Sequence, residues 1–207
     1  MPRSLFIGIA ALGAAMFAGL AAPTDAAAQR KTAIFAGGCF WCVEADFDKV
    51  AGVVSTTSGY IGGSAKTANY KRVSAGGTGH FEAVKIVYDP NRVSYDRLLR
   101  TFWRSVDPTD AGGQFCDRGS SYKTGVFVAN NEERKIALAS KQKAAAALGK
   151  KIVTPIVRAG AFYKAEAYHQ NYYKRNPIRY KVYRYGCGRD ARVRSLWGSQ
   201  ALAGLKR

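Results

Sequence analysis

Apolar residues recur along this chain with two different periods, and the changes of period mark its elements. The five residues Thr32-Ala33-Ile34-Phe35-Ala36 are short, apolar and partly β-branched, the composition of a buried strand. Gly37-Gly38 lets the backbone turn sharply at its end. Phe40, Val43, Phe47 and Val50 then recur at helical spacing, so a helix begins at or just after Cys39. Residues 52–60 are β-branched and read as a second strand, followed over 61–80 by a loop rich in Gly, Ser, Thr and Asn. A loop of that length in a compact domain is more often functional than idle. Residues 81–88 form a clear strand, stopped by Asp89-Pro90. Ser94 then caps a helix whose Tyr95, Leu98, Leu99, Phe102, Trp103 and Val106 make a full apolar stripe, read as core packing and ended by Asp107-Pro108.

A second glycine-containing loop over 109–121 carries Cys116 and Asp117. Residues 124–129 read as a strand, and Asn130 with Glu133 as a capping box for a helix closed by Gly149. Residues 152–157 read as a further strand, placed at an edge by Pro155. From Ala161 the chain is tyrosine-rich and basic and closes on Tyr185-Gly186-Cys187-Gly188, within a basic tail over about 181–207. Strands and helices mix without a strict βαβ repeat and no internal repeat is visible. The pattern predicts an α+β fold with a small mixed sheet.

The front of the chain changes the domain count. Residues 1–28 combine Arg3, an apolar run of ~18 residues over 5–22 and the triplet Ala26-Ala27-Ala28, the layout of a signal peptide. The run is near spanning length, so an uncleaved anchor is the alternative. Its Gly and Ala content makes it weakly hydrophobic, which favours removal. Residues 29–207 then form a single exported domain, placed in a bacterial periplasm. Removing 1–28 deletes one Arg and one Asp, so the formal charge of +18 persists. Such a charge implies weak attraction to anionic surfaces. The basic residues are scattered rather than blocked, and export removes nucleic acid as a partner.

Four cysteines, Cys39, Cys42, Cys116 and Cys187, are too few to staple a chain able to build its own core. Chemistry is the better use for them. Cys39 at a helix N-terminus faces orphan amide N–H groups and the positive end of the helix dipole, which favours the thiolate. Cys42 lies three residues on, on the same side of the first turn, close enough for a disulfide.

The stretch Gly38-Cys39-Phe40-Trp41 followed by Val43-Glu44 resembles the active-site signature of the A-type peptide methionine sulfoxide reductases. The similarity continues in order through Gly59-Tyr60, Gly62-Gly63, Tyr70, Gly79-His80-Phe81-Glu82, Tyr88-Asp89-Pro90 and Phe102-Trp103. Asp107-Pro108, Asp117-Arg118-Gly119, Tyr122, Ala165-Glu166, His169-Gln170 and Asn176-Pro177 extend it, so that it spans roughly residues 31–180. The resemblance implies a ferredoxin-like two-layer core with long coils. It also implies reduction of the S epimer of free and peptide-bound methionine sulfoxide, with no cofactor. Oxidised proteins are then the substrates and a thioredoxin-like protein, or a small dithiol, the external reductant; the enzyme is taken as a monomer.

Carried over residue by residue, the resemblance makes Cys39 the nucleophile and Phe40 and Trp41 the walls of a methyl-sized pocket. Glu82 becomes the acid, Tyr70 and Tyr122 the hydroxyls on the sulfoxide oxygen, and Asp117 a second carboxylate. Sulfoxide oxygen leaves only when protonated, so a thiolate must face a proton donor, and a Glu in an apolar pocket stays protonated near neutrality. Attack yields a sulfenic acid on Cys39, which a second thiol condenses to a disulfide. Cys42 and Cys187 both qualify as the resolving thiol, and Cys116, next to Asp117, is a further candidate or else a spectator thiol. His80 and His169 read as structural.

Two rivals remain to be distinguished. A thioredoxin-type oxidoreductase also places CxxC at a helix start, but the aromatic pair sits between these cysteines and the downstream order differs. A basic adsorbing protein would not depend on Cys39. A zinc site is disfavoured, because one CxxC stands with two isolated cysteines and no paired histidines, so no metal is expected.

Overall fold

A computed structural model describes residues 29–206 together with Met1; residues 2–28 and 207, and with them the expected leader, lie outside the described residues. The first strand, β1 (Lys31–Gly37), turns at Gly38 into helix α1 (Phe40–Phe47), which is followed by β2 (Val53–Ile61), the short helix α2 (Tyr70–Ser74) and β3 (Phe81–Tyr88). Next come α3 (Tyr95–Trp103), a two-residue hairpin of β4 (Gly113–Gln114) with β5 (Asp117–Arg118), β6 (Thr124–Val128) and the long helix α4 (Asn131–Leu148). The chain ends in β7 (Ile156–Arg158), β8 (Phe162–Lys164) and helices α5 (Tyr172–Arg175), α6 (Pro177–Gly186) and α7 (Arg189–Trp197).

The main sheet runs β7-β6-β1-β3-β2-β8, and all its pairings are antiparallel except β6 with β7. Its inner four strands, β6-β1-β3-β2, are joined as β1-α1-β2 and β3-α3-β6. Each helix therefore crosses over an intervening strand, as in the split βαβ ferredoxin-like arrangement. The expected α+β class with a mixed sheet holds. Alternation along β1 sends Ala33 and Phe35 to the helical side, where Phe35 stacks on Phe102 at 5.0 Å and meets Phe47 and Tyr95. Leu98, Leu99, Phe102, Trp103 and Val106 are fully buried, as the apolar stripe implied.

The local signals explain the element ends. The Ser94 hydroxyl accepts from Arg97 N–H and the Asn130 side chain from Glu133 N–H. Glu133 reaches back to the Ala129 N–H, one residue before the cap. Gly149 takes the left-handed conformation that closes α4. Two readings need correction. Residues 61–80 are not one open loop, because Asn69 accepts from Arg72 N–H and starts α2.

The stretch from 181 is no tail either. It folds as the end of α6, then α7 and the last turns. Arg189 at the start of α7 is buried, donating through Nη1 to Gly37 O and through Nη2 to Ser105 O, both at 3.0 Å. Its guanidinium lies 4.7 Å from the Phe115 ring centroid. Several other basic residues are held by carboxylates: Arg184 on Asp46 and Asp190, Arg192 on Asp107, and Lys174 on Asp48. The high charge is thus partly structural rather than a uniform coat. Among the described residues no helix is long and apolar enough to cross a membrane.

Candidate active site

The corner between β1 and α1 builds the site. Gly38 has φ +81°, and a Cβ there would fall 2.6 Å from Gln114 Cβ, so glycine is required by both conformation and space. Cys39 follows as the helix N-cap, 6 % exposed, with no hydrogen bond from its side chain to the helix amides. Instead the first amide, Phe40 N–H, donates to Glu82 Oε2 at 3.0 Å. Glu82 comes from β3 and is 2 % exposed. The Glu82 carboxyl group, not the sulfur, accepts from the first amide of α1.

A small cavity of about 60 Å³ lies over this corner, lined by Cys39, Phe40, Trp41, Tyr70, Glu82, Asp117, Tyr122 and Tyr183. Seven of these eight are residues expected from the sequence, and they arrive from α1, α2, β3, β5 and the turn after β5. The hollow has room for a methyl-sized group and little else. Larger clefts elsewhere, such as the ~700 Å³ one between α1, α6 and α7, carry no comparable chemistry.

Tyr183, from α6, was not anticipated. Its hydroxyl donates to Asp117 Oδ2 at 2.5 Å, and its ring meets Trp41 edge-on at 5.7 Å. Trp41 is stacked on Tyr172 at 3.7 Å and donates through Nε1 to His169 Nδ1 at 3.0 Å. Glu166 accepts from Tyr60 OH (2.8 Å) and Tyr70 N–H (2.9 Å), anchoring the start of α2. His169 and Glu166 therefore hold the walls from behind. His80 accepts from Gly63 N–H through Nδ1 and sits 3.0 Å from Ser64 O through Nε2, a structural role in the loop before α2.

Burial sets the protonation of the site. It pushes Glu82 up to about 8, with the neighbouring Asp117 charge adding to the effect and the Phe40 N–H opposing it. Glu82 is thus largely protonated at neutral pH. Tyr70 is pushed up to about 12, and Tyr122 and Tyr183 are also raised by burial, so all three hydroxyls keep their protons. The expectation of a resting Cys39 thiolate is overturned. Burial pushes that thiol well up, and contact with Cys42 and the charge of Glu82 add to it. The first amide of α1, expected to face the sulfur, donates to Glu82 instead. Cys42 is shifted the other way, by the hydrogen bond from Cys39 and by Arg189 and Arg184.

The four cysteines form two pairs of different exposure. Cys39 and Cys42 are free and buried, and near enough for each to shift the ionisation of the other. Cys116 and Cys187 are joined as a disulfide. Cys116 is exposed and Cys187 half-buried, and their sulfurs lie within 4.8 Å of an Asp117 carboxylate oxygen. Cys187 is accordingly not a free thiol in this state, and Cys116 is its partner.

Comparison with known proteins points the same way as this geometry. A model of the family described as peptide methionine sulfoxide reductase matches residues 31–201, some twenty residues further than the sequence motifs alone reached. The chain is 52% identical over 179 residues to peptide methionine sulfoxide reductase MsrA 2 of Rhizobium meliloti, covering 86% of this chain and 89% of that one. It is 50% identical over 181 residues to the protein of the same description from Caulobacter vibrioides, covering 87% and 92%. Among solved structures it resembles methionine sulfoxide reductase A of Corynebacterium diphtheriae, with TM-score 0.64 and 33% identity over 72% of this chain and 76% of that one. Mxr1 of Saccharomyces cerevisiae in reduced form gives TM-score 0.67 and 31% identity over 72% and 86%.

Proposed function

The chain belongs to the peptide methionine sulfoxide reductase family, A type, and from that premise we propose how its own residues carry out the reaction. The observation that supports the assignment is the meeting of Cys39, Glu82, Tyr70, Tyr122, Asp117, Phe40 and Trp41, far apart in sequence, around one methyl-sized hollow. The substrate's S-methyl group enters between Phe40 and Trp41, and its oxygen faces Glu82 and the hydroxyls of Tyr70 and Tyr122. Glu82 protonates the oxygen as the Cys39 sulfur attacks the sulfoxide sulfur. The sulfur–oxygen bond of the substrate breaks and one forms on Cys39. The Cys39 proton replaces the one Glu82 gave up, so thiol and sulfoxide become sulfenic acid and methionine with no proton taken from outside. A thiolate is then needed only while substrate is bound, which accommodates a protonated resting thiol.

Cys42 is the resolving residue by proximity: it lies one turn along α1 from Cys39, and its thiol is the more acidic of the two. It attacks the sulfenic sulfur, expels water and leaves a Cys39–Cys42 disulfide. That bond is buried, since the two residues are 6 % and 2 % exposed. The Cys116–Cys187 pair carries the oxidation outward: as a dithiol it reduces the inner disulfide and becomes the disulfide seen here, to be reduced by a thioredoxin-like protein. Export of residues 29–207 after a leader over 1–28, a periplasmic location, a monomeric state and weak attraction to anionic surfaces belong to the same proposal, supported by sequence alone.

Cys42→Ser tests the resolving step. A single stoichiometric turnover of methionine S-sulfoxide should persist, while thioredoxin-driven cycling stops. Mass-spectrometric mapping after one turnover of the unaltered enzyme, started fully reduced, should find Cys39–Cys42 before Cys116–Cys187. Unimpaired cycling by the variant would transfer the role to Cys187.

A further inference from the structure

Neither Cys116 nor Cys187 lines the substrate hollow, yet each is tied to a residue that does. Cys116 directly precedes Asp117, and Cys187, the C-cap of α6, lies one helical turn after Tyr183. Asp117 and Tyr183 are both walls of the hollow. Two links therefore join the β4–β5 hairpin to α6 side by side. One is the Cys116–Cys187 disulfide, and the other is the hydrogen bond from the Tyr183 hydroxyl to Asp117 Oδ2 at 2.5 Å. The two sulfurs lie within 4.8 Å of an Asp117 carboxylate oxygen. Past the second link, the Tyr183 ring meets Trp41 edge-on at 5.7 Å, so contact runs from the disulfide to the pocket aromatics. On its other side Cys187 lines an open cleft of about 520 Å³ with Phe115 and Arg192, which shares no residue with the hollow.

The backbone of the hairpin supplies a second observation. Its two turn residues are Phe115 and Cys116, and Phe115 has φ +56°, a left-handed conformation that a hairpin turn ordinarily gives to glycine. Such strain persists only where the surroundings over-determine it. Here the Phe115 ring has the Arg189 guanidinium 4.7 Å from its centroid, and the next residue is fastened by the disulfide.

We propose that Cys116 and Cys187 are positioning residues for the substrate: their disulfide fixes the Asp117–Tyr183 wall, so methionine sulfoxide binds more tightly with the outer pair oxidised than reduced. This rests on the hollow being the substrate site, as in the preceding subsection. A cross-link removes the freedom of the hairpin relative to α6, and a wall ordered before substrate arrives leaves less to order on binding. With the bond opened, the Tyr183–Asp117 hydrogen bond holds the wall alone. Phe115 can then relax toward an ordinary turn and carry Cys116 and Asp117 with it. Neither sulfur touches substrate; both act through Asp117 and Tyr183. Coupling of this kind is reciprocal, so bound sulfoxide makes the outer disulfide harder to reduce by the factor with which the disulfide tightens binding. The external reductant then works best on the enzyme whose hollow is empty.

The test compares one chain in two states. Full-length Cys42→Ser is prepared with the outer pair as a disulfide, and as a dithiol after dithiothreitol has been added and removed under argon. Single-turnover release of methionine is followed by rapid quench against the concentration of methionine S-sulfoxide. The half-saturating concentration should be ~5-fold or more lower for the disulfide form, the lower end of ordinary coupling between sites, with the limiting rate unchanged. Adding Cys116→Ser and Cys187→Ser to this background should give the dithiol's value with or without dithiothreitol treatment. In Cys39→Ser, which binds sulfoxide without reacting, saturating sulfoxide should shift the outer pair's equilibrium with glutathione toward the disulfide by the same factor. Equal half-saturation in the two states would overturn the proposal, as would tighter binding by the dithiol or a change confined to the limiting rate. Failure of the underlying reading looks different: neither state would release one methionine per chain, and the proposal would fall with it.

Discussion

Cys39→Ser should reduce methionine S-sulfoxide turnover to background, a loss on the order of 10⁴-fold or more, the scale at which removing a nucleophile abolishes covalent catalysis. The hydroxyl is close to the thiol in size and shape, and the Cys39 side chain makes no cap hydrogen bond, so α1 should still start at Phe40. Unchanged circular dichroism and melting temperature would separate lost chemistry from lost fold. The loss should be equal with dithiothreitol and with thioredoxin, because it precedes every disulfide step. The variant should form no sulfenic acid, read by a dimedone adduct after one equivalent of sulfoxide. A basic adsorbing protein would lose nothing on this change, and a disulfide oxidoreductase without sulfoxide chemistry would show no turnover to lose. Residual activity above a hundredth of the original would place the nucleophile elsewhere.

The corner around Cys39 was legible in the sequence because its signals are local. An apolar strand, two glycines and a helical apolar repeat fix where Cys39 sits, and β3 and α3 were equally plain from alternation and from the Ser94 cap. What could not be read is who occupies the helix N-terminus. Cys39 is the residue one would place against those amides. Pairing of β2 with β3 and of β3 with β1 instead swings Glu82 to the Phe40 N–H from forty-two residues away. Burial of Cys39 at a helix end whose first amide is taken by Glu82 thus reverses the ionisation expected of its thiol.

Residues of the site that come from the C-terminal third were missed for a related reason. Tyr183 is one of 12 tyrosines, and nothing in its surroundings separates it from packing. The available signal was its spacing of four residues from Cys187, which puts both toward the loop bearing Cys116 and Asp117. Arg189 was hidden by composition: in a basic tail an arginine reads as a solvated charge. Here it is buried against the carbonyls of Gly37 and Ser105 and fixes the tail to the end of β1. The same contact brings the Arg184 and Arg189 charges near Cys42, where they favour its thiolate. The fold of residues 177–197 thus contributes to the acidity of the Cys42 thiol.

Glu82→Gln should separate the acid's chemistry from its structural contact. The amide oxygen can still accept from Phe40 N–H, so the start of α1 is kept, but no proton can be given to the sulfoxide oxygen. Activity should fall about a hundredfold, the scale of a lost general acid, and Glu82→Ala should fall at least as far. In the unaltered enzyme kcat/KM should decline as pH rises through about 8, where Glu82 loses its proton, and the variant should lack that alkaline limb. Stability should move the opposite way from activity. The folded carboxyl titrates near 8 and the unfolded one near 4.5, so between those values the folded state holds a proton the unfolded state has released. Stability of the unaltered enzyme therefore falls as pH rises across that window, at up to ~1.4 kcal/mol per unit of pH, and the full cost is present above it. Below 4.5 both states are protonated and the cost vanishes. Glu82→Gln should accordingly melt higher than the unaltered enzyme at pH 8.5 and close to it at pH 4. A variant that is a hundredfold slower yet no more stable at pH 8.5 would show that Glu82 is ionised in the resting site, and the acid would have to be sought among the hydroxyls of Tyr70, Tyr122 and Tyr183.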